Sequence, residues 1–223
     1  METSIEHIAA LIGDPVRVRI LWTLLDGRAY TARELAIGVE TSPQNLSMHL
    51  SKLLKAGLLS VEAQGRHRYY SFSREEVAFA IEAMANLVPP PGVHQEPEMV
   101  PINYCRTCYD HLAGKVGVLV TDSLVTQKII EPAGGKFTVT AKGTKWLTRL
   151  DIDCLTLRQH RRAFTRACLD WTERRSHLAG ALGAALLKKM LDERWIRHMA
   201  NSRAVLVTPK GQKAFREVFG ITL

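Results

Sequence analysis

The first 104 residues contain no cysteine, and no run of eighteen apolar residues occurs anywhere in the 223. The second absence leaves no candidate membrane-spanning helix. The start, Met1-Glu2-Thr3-Ser4, lacks the basic-then-apolar order of an export signal, so the chain is expected in the cytoplasm and away from membranes. There the four cysteines, at positions 105, 108, 154 and 168, are expected as thiols, metal ligands or redox sensors rather than structural disulfides. A nucleophile elbow, a phosphate-binding loop and a His-Glu-x-x-His run are also missing. A thiol-dependent enzyme using Cys108 or Cys168 with His111 or His177 has no other support, and no enzyme is expected.

What is present fits a globular chain of two compact units, with an apolar share of 46%. The net charge of +8 suggests a nucleic-acid partner, but it is unevenly spread. Residues 1–88 hold 9 Lys/Arg against 10 Asp/Glu, and residues 89–223 hold 21 against 12. The excess lies in the second half, so a basic protein that coats DNA without sequence preference is the alternative to a specific reader.

Local signals divide residues 1–88 into helices and a hairpin. Ile5 to Ile12 reads as a short helix; Asp14-Pro15 caps a second with Val16, Ile20, Leu21, Leu24 and Leu25 along one side. Thr31-Ala-Arg-Glu34 has the spacing of a capping box, and Ser42-Pro43 starts a further helix whose Leu46, Leu50, Leu53 and Leu54 turn inward. Two short capped helices across a tight turn make a helix-turn-helix. The second helix has Gln44, Asn45, Ser47, Met48, His49, Ser51, Lys52 and Lys55 on its outward face, and no acid occurs from Thr41 to Val61. Amides and hydroxyls near the helix start, with Ser42, suit base edges in the major groove; His49, Lys52 and Lys55 suit phosphates. Strands Leu58–Gln64 and Tyr69–Phe72 flank Gly65-Arg66-His67-Arg68, a basic wing for phosphates or the minor groove. A last helix is predicted over Arg74–Val88.

Glu34-Leu35-Ala36, Ser42-Pro-Gln-Asn-Leu-Ser-Met-His-Leu50, Leu53-Leu-Lys-Ala-Gly-Leu58 and Gly65-Arg-His-Arg-Tyr-Tyr70 together resemble the ArsR/SmtB type of bacterial regulator. The resemblance covers about Ile5 to Leu87. It implies a winged helix-turn-helix, a homodimer formed by the first and last helices, a near-palindromic double-stranded DNA operator, and repression relieved by an effector. Cys168-Leu-Asp-Trp-Thr-Glu-Arg-Arg-Ser-His-Leu-Ala-Gly180 is similar to the extension on longer members of that family. The metal ligands many members carry are absent: Glu34 to Thr41 has no Cys or His, and Arg74 to Val88 offers only glutamates. Sensing is therefore expected in the second half.

Five prolines between Val88 and Pro101 mark residues 89–101 as a semi-rigid linker between a DNA-binding and dimerisation domain, 1–88, and an effector domain, 102–223. The latter is internally duplicated. Arg106-Thr-Cys-Tyr-Asp110 matches Arg166-Ala-Cys-Leu-Asp170, His111-Leu-Ala-Gly114 matches His177-Leu-Ala-Gly180, and Thr140-Ala-Lys-Gly143 matches Thr208-Pro-Lys-Gly211, giving copies over 102–152 and 162–223. Each reads as an apolar helix (Leu112–Leu124, Leu178–Leu191), two short strands and a helix, a winged helix without its front end. The expected fold is mainly α with small β-hairpins (α+β), the two half-modules packed about a pseudo-twofold axis. The cleft between them is the expected ligand site.

Cys105, Cys108, Asp110, His111, Cys168, Asp170 and His177 are its candidate residues. A helical reading puts Cys105 and Cys108 on one face. The set offers donors for a transition metal, thiols for redox sensing, or a lining for a small-molecule effector. The plainer alternative is that these residues cap and pack equivalent elements, the aspartates paired with arginines.

Overall fold

A computed structural model describes residues 4–88, 101–200 and 202–223. The chain divides into two compact units, Met1–Ala85 and Asn86–Leu223. Residues 89–100 of the expected linker lie outside the described residues, and its last residue, Pro101, opens a helix.

In the first unit, α1 (Ile5–Ile12) and α2 (Pro15–Thr23) are capped by Ser4 and Asp14, and a 3-10 turn, Leu24–Asp26, ends at Gly27 in the left-handed conformation. Strand β1 (Tyr30–Thr31) leads into α3 (Ala32–Gly38), where Thr31 and Glu34 form the reciprocal capping box. Helix α4 (Pro43–Lys55) starts at Ser42, whose hydroxyl accepts from the Asn45 N–H. Strands β2 (Leu59–Gln64) and β3 (His67–Phe72) pair antiparallel, with Gln64 opposite His67. The wing therefore turns on Gly65-Arg66 alone; His67 and Arg68, expected at its tip, are strand residues. β1 adds to the free edge of β3, a third strand too short to leave a periodic signal. Helix α5 (Glu75–Ala85) stops three residues before the expected Val88.

The core of this unit is built from Ile20, Leu21, Leu24, Leu25, Leu35, Leu46, Leu50 and Leu53, each 2% exposed or less. The charged residues Arg17, Asp26 and Glu82 are buried in this unit too. Arg17 donates from Nε to the Leu11 carbonyl (2.5 Å) and from Nη2 to the Ala10 carbonyl (2.9 Å), satisfying groups at the end of α1 that have no partner within the helix.

In the second unit a short helix α6 (Pro101–Tyr104) precedes two runs of the same order. The first is β4 (Arg106–Cys108), β5 (His111–Ala113), α7 (Gly114–Thr126), β6 (Ile130–Pro132), β7 (Phe137–Val139) and α8 (Ala141–Thr148). After α9 (Cys154–Arg158) come β8 (Arg166–Leu169), β9 (Ser176–Ala179), α10 (Gly180–Asp192), β10 (Ile196–His198), β11 (Val205–Val207) and α11 (Pro209–Phe219). Each copy is hairpin, helix, hairpin, helix. The apolar helices begin at Gly114 and Gly180 rather than at Leu112 and Leu178, because those leucines finish strands. Both glycines adopt positive φ (+76° and +82°), which sharpens the strand-to-helix corner.

The copies interlock. In copy one, Thr107 N–H donates to the Arg203 carbonyl (2.9 Å), and Val205 N–H donates to the Cys105 carbonyl (3.0 Å), tying β4 to the second hairpin of copy two. In copy two, Ala167 N–H donates to the Gly135 carbonyl (3.0 Å) and Thr165 exchanges hydrogen bonds with the Phe137 backbone, tying β8 to the second hairpin of copy one. One apolar core, from Cys105 to Ile221, runs through both.

Candidate functional site

Two places carry chemistry. The first is the outward side of α4 and the wing. Gln44, Ser47, Met48, Ser51, Lys52 and Lys55 are exposed, as are Arg66, His67 and Arg68. Ser42 is also exposed but its hydroxyl caps the helix. Asn45 is half-buried and donates from Nδ2 to the Thr41 hydroxyl (2.8 Å), and Ser47 donates to the Pro43 carbonyl (2.9 Å). His49 departs from its expected place on this face. It is 6% exposed, and its Nδ1 lies 3.5 Å from the Asp14 carboxylate at the start of α2. Position 49 lies three residues after Leu46 and four before Leu53, so it shares their inward face.

The second place is buried inside the duplicated unit. In β4–β5, Cys108 stands directly opposite His111; in β8–β9, Cys168 stands directly opposite His177. Directly paired residues of antiparallel strands project from the same face of the hairpin. Each hairpin therefore presents one sulfur and one imidazole together. Of the six residues inserted in copy two, Trp171 to Arg175 lengthen the loop and Ser176 extends β9, which leaves this register intact.

The two faces meet. His111 Nε2 lies 3.1 Å from His177 Nε2, with the rings stacked at 5.0 Å between centroids. Cys108 Sγ lies 3.9 Å from Cys168 Sγ. All four donor atoms fall within 4.8 Å of one another. Gly117 of α7 and Gly183 of α10 make the approach possible: a Cβ on either would stand 2.5 Å from a strand carbonyl, and on Gly183 also 3.2 Å from the His111 Cβ.

Behind each imidazole stands a carboxylate. His111 Nδ1 lies 3.4 Å from Asp110 Oδ1, and His177 Nδ1 lies 3.5 Å from Asp170 Oδ2. Asp110 is held by Arg162, and Asp170 by the fully buried Arg106 (2.9 Å), whose guanidinium also sits 4.5 Å from the Trp171 ring centroid. Asp170 further accepts from the Gly114 N–H (2.7 Å) and the Thr172 N–H (2.9 Å).

These surroundings set the charges. Burial opposes charge on His111, but the Asp110 carboxylate and the Cys168 sulfur outweigh it and raise its pKa to about 9. Cys168 is driven far below the usual thiol range, first by its hydrogen bond from Cys108 and then, against the cost of burial, by His111 and His177.

Of the seven residues expected to line the cleft, the structure brings four together, sets two against the imidazoles and separates Cys105. Cys105 is a core residue just before β4, its thiol pushed up to about 12 by burial, and it shares no helical face with Cys108 because Cys108 is on a strand. Asp110 and Asp170 stand one step back, against the imidazoles. The expected cleft is filled by these side chains. A cavity of about 600 Å³ in this unit is lined instead by residues such as Thr121, Asp122, Lys136 and Arg175. The buried roles of Arg106, Gly117 and Gly183 left no trace in hydropathy; the repeat alignment itself, which superposes Arg106 on Arg166 and Gly117 on Gly183, was their signal.

Comparison with known proteins bears on what these sites serve. A family described as a helix-turn-helix domain matches residues 12–62. The chain is 43% identical over 226 residues to the HTH-type transcriptional regulator YdfF of Bacillus subtilis, each covered in full. It is 32% identical over 87 residues to the HTH-type transcriptional regulator CmtR of Mycobacterium tuberculosis, spanning 39% of this chain and 73% of CmtR. This chain belongs to the ArsR/SmtB family. As a member it is a winged helix-turn-helix, DNA-binding transcriptional regulator, and these relatives are regulators rather than enzymes. The solution structure of the cadmium sensor CmtR from M. tuberculosis aligns at 30% identity, covering 41% of this chain and 94% of that one, with a TM-score of 0.34. Among the described residues no helix is long and apolar enough to cross a membrane.

Proposed function

We propose that this ArsR/SmtB member is a homodimeric repressor that reads a near-palindromic operator with α4 and the wing and leaves it when the duplicated unit receives an effector. The observation that carries the reading is the exposed, acid-free side of α4, with Gln44, Ser47 and Met48 near its start and Lys52 and Lys55 near its end. Short polar groups there suit base edges, and the lysines suit phosphates. Ile5 in α1 and Met84 in α5 are 76% and 39% exposed, apolar surface on the two helices proposed to form the dimer. The family's usual ligand positions in this unit lack cysteine, which favours the second unit as receiver.

Footprinting on the DNA around the gene, followed by binding to the protected fragment in excess random competitor, tests this. A protected, two-fold-related site bound by a dimer is expected. Gln44→Ala should cost about 1–3 kcal/mol against that site and much less against random DNA. Equal competition by random and genomic DNA would replace the proposal with nonspecific coating by the basic second half.

A further inference from the structure

The geometry points to Cys108, His111, Cys168 and His177 as a closed, tetrahedral Cys2His2 site for a borderline or soft divalent cation of the zinc and cadmium kind. Tetrahedral zinc, with Zn–S near 2.3 Å and Zn–N near 2.0–2.1 Å, sets its sulfurs about 3.8 Å apart and its nitrogens about 3.3 Å apart. Here the separations are 3.9 Å and 3.1 Å. Two thiolates and two imidazoles balance a divalent charge and match its preference for sulfur and nitrogen.

The orientation of the rings is the second argument. Asp110 lies within hydrogen-bond reach of His111 Nδ1, and Asp170 lies 3.5 Å from His177 Nδ1 without a hydrogen bond; carboxylates on these sides favour Nδ1 protonated and Nε2 free to coordinate. Both Nε2 atoms then direct lone pairs toward one point, 3.1 Å apart. Such a contact needs a proton or a cation between the rings. The sulfurs of the same two hairpins border that point, which a shared proton does not require. Arg162 and Arg106 neutralise the two aspartates, so the ion would be held in a balanced, buried surrounding. Cys108, His111 and His177 are fully buried, which suits a site with four protein ligands and no open position.

Each copy supplies one Cys and one His, so the ion would cross-link the interlocked halves. That the ion is the effector is a further step, and it rests on the reading of the second unit as the receiver.

Full-length protein, stripped of metal with a chelator under reductant, is titrated with Co2+. One equivalent per chain is expected, with visible d–d bands and thiolate-to-cobalt charge transfer of a tetrahedral S2N2 site, displaced by Zn2+ or Cd2+. Cys168→Ser and His177→Gln should each lose the bands, and Cys154→Ser should keep them. Absence of the bands in folded wild-type protein overturns the site. So does their persistence in Cys168→Ser. In parallel, Zn2+ is added to the complex with the footprinted operator and is expected to weaken it by about 5- to 150-fold. Unchanged operator affinity alongside an intact cobalt spectrum leaves the metal site standing and removes the ion as the signal.

Discussion

Asp170 concentrates the energetics of the duplicated unit in one side chain. It has no exposed side-chain surface, and it faces the equally buried Arg106 at 2.9 Å while accepting backbone N–H groups from Gly114 and Thr172. Burial works against its charge, but Arg106, the Thr172 hydroxyl and His177 hold its pKa well below the usual carboxylate range. Removing one partner of a buried pair leaves the other charge unmatched, so Asp170→Ala should destabilise the unit by about 3–5 kcal/mol in urea unfolding. Because the folded-state pKa is depressed, the stabilisation is present above the ordinary aspartate value of about 3.9 and is lost as pH falls below it. The variant's unfolding midpoint should therefore be flatter than the wild type's in that acid range. The Arg-x-Cys-x-Asp repeat was legible in the sequence, but the pairing was not: Arg106 binds the aspartate of the other copy, and Asp110 takes Arg162 rather than Arg166.

Among the elements, the wing and α4 make separable contributions. Arg66 occupies the two-residue turn between β2 and β3 and is exposed. A phosphate contact carries no sequence information, so Arg66→Ala should weaken binding to all DNA alike and lower the salt slope by about one unit. Affinity measured against salt for operator and random DNA checks this; a loss confined to the operator would make Arg66 a base reader. Most of the first unit's elements were readable because capping and periodicity are local: Asp14, Thr31 and Ser42 each cap the helix they were expected to cap. His49 and β1 were not. The inward direction of His49 follows from helix phase, which its polarity masked, and the two-residue β1 exists only because β3 offers it an edge.

At the scale of the molecule, the two units have separate cores, whereas the two copies inside the second share one. A chain truncated after Arg158 removes β8 to α11, and with them the backbone partners of β4 and the second half of that core. It should keep the cooperative unfolding of the first unit and show no second transition, with residues 101–158 open to proteolysis. A folded, protected first copy in that truncated chain would mean that the halves are independent modules. The expected packing about a pseudo-twofold axis left the interlock open, since repetition announces similar parts and says nothing about which hairpin pairs with which.

The sequence by itself determined the helix-turn-helix, the wing, the family and the duplication, because caps, turns and hydropathy phase act over a few residues and survive without tertiary contacts. Only the tertiary structure decided which of seven candidate side chains converge. Cys108 meets His111 through strand register, the two hairpins meet through the interlock of the copies, and Cys105 is turned into the core. The register is local to each hairpin, but the meeting of the two hairpins depends on contacts 60 and 66 residues apart, which no local pattern encodes.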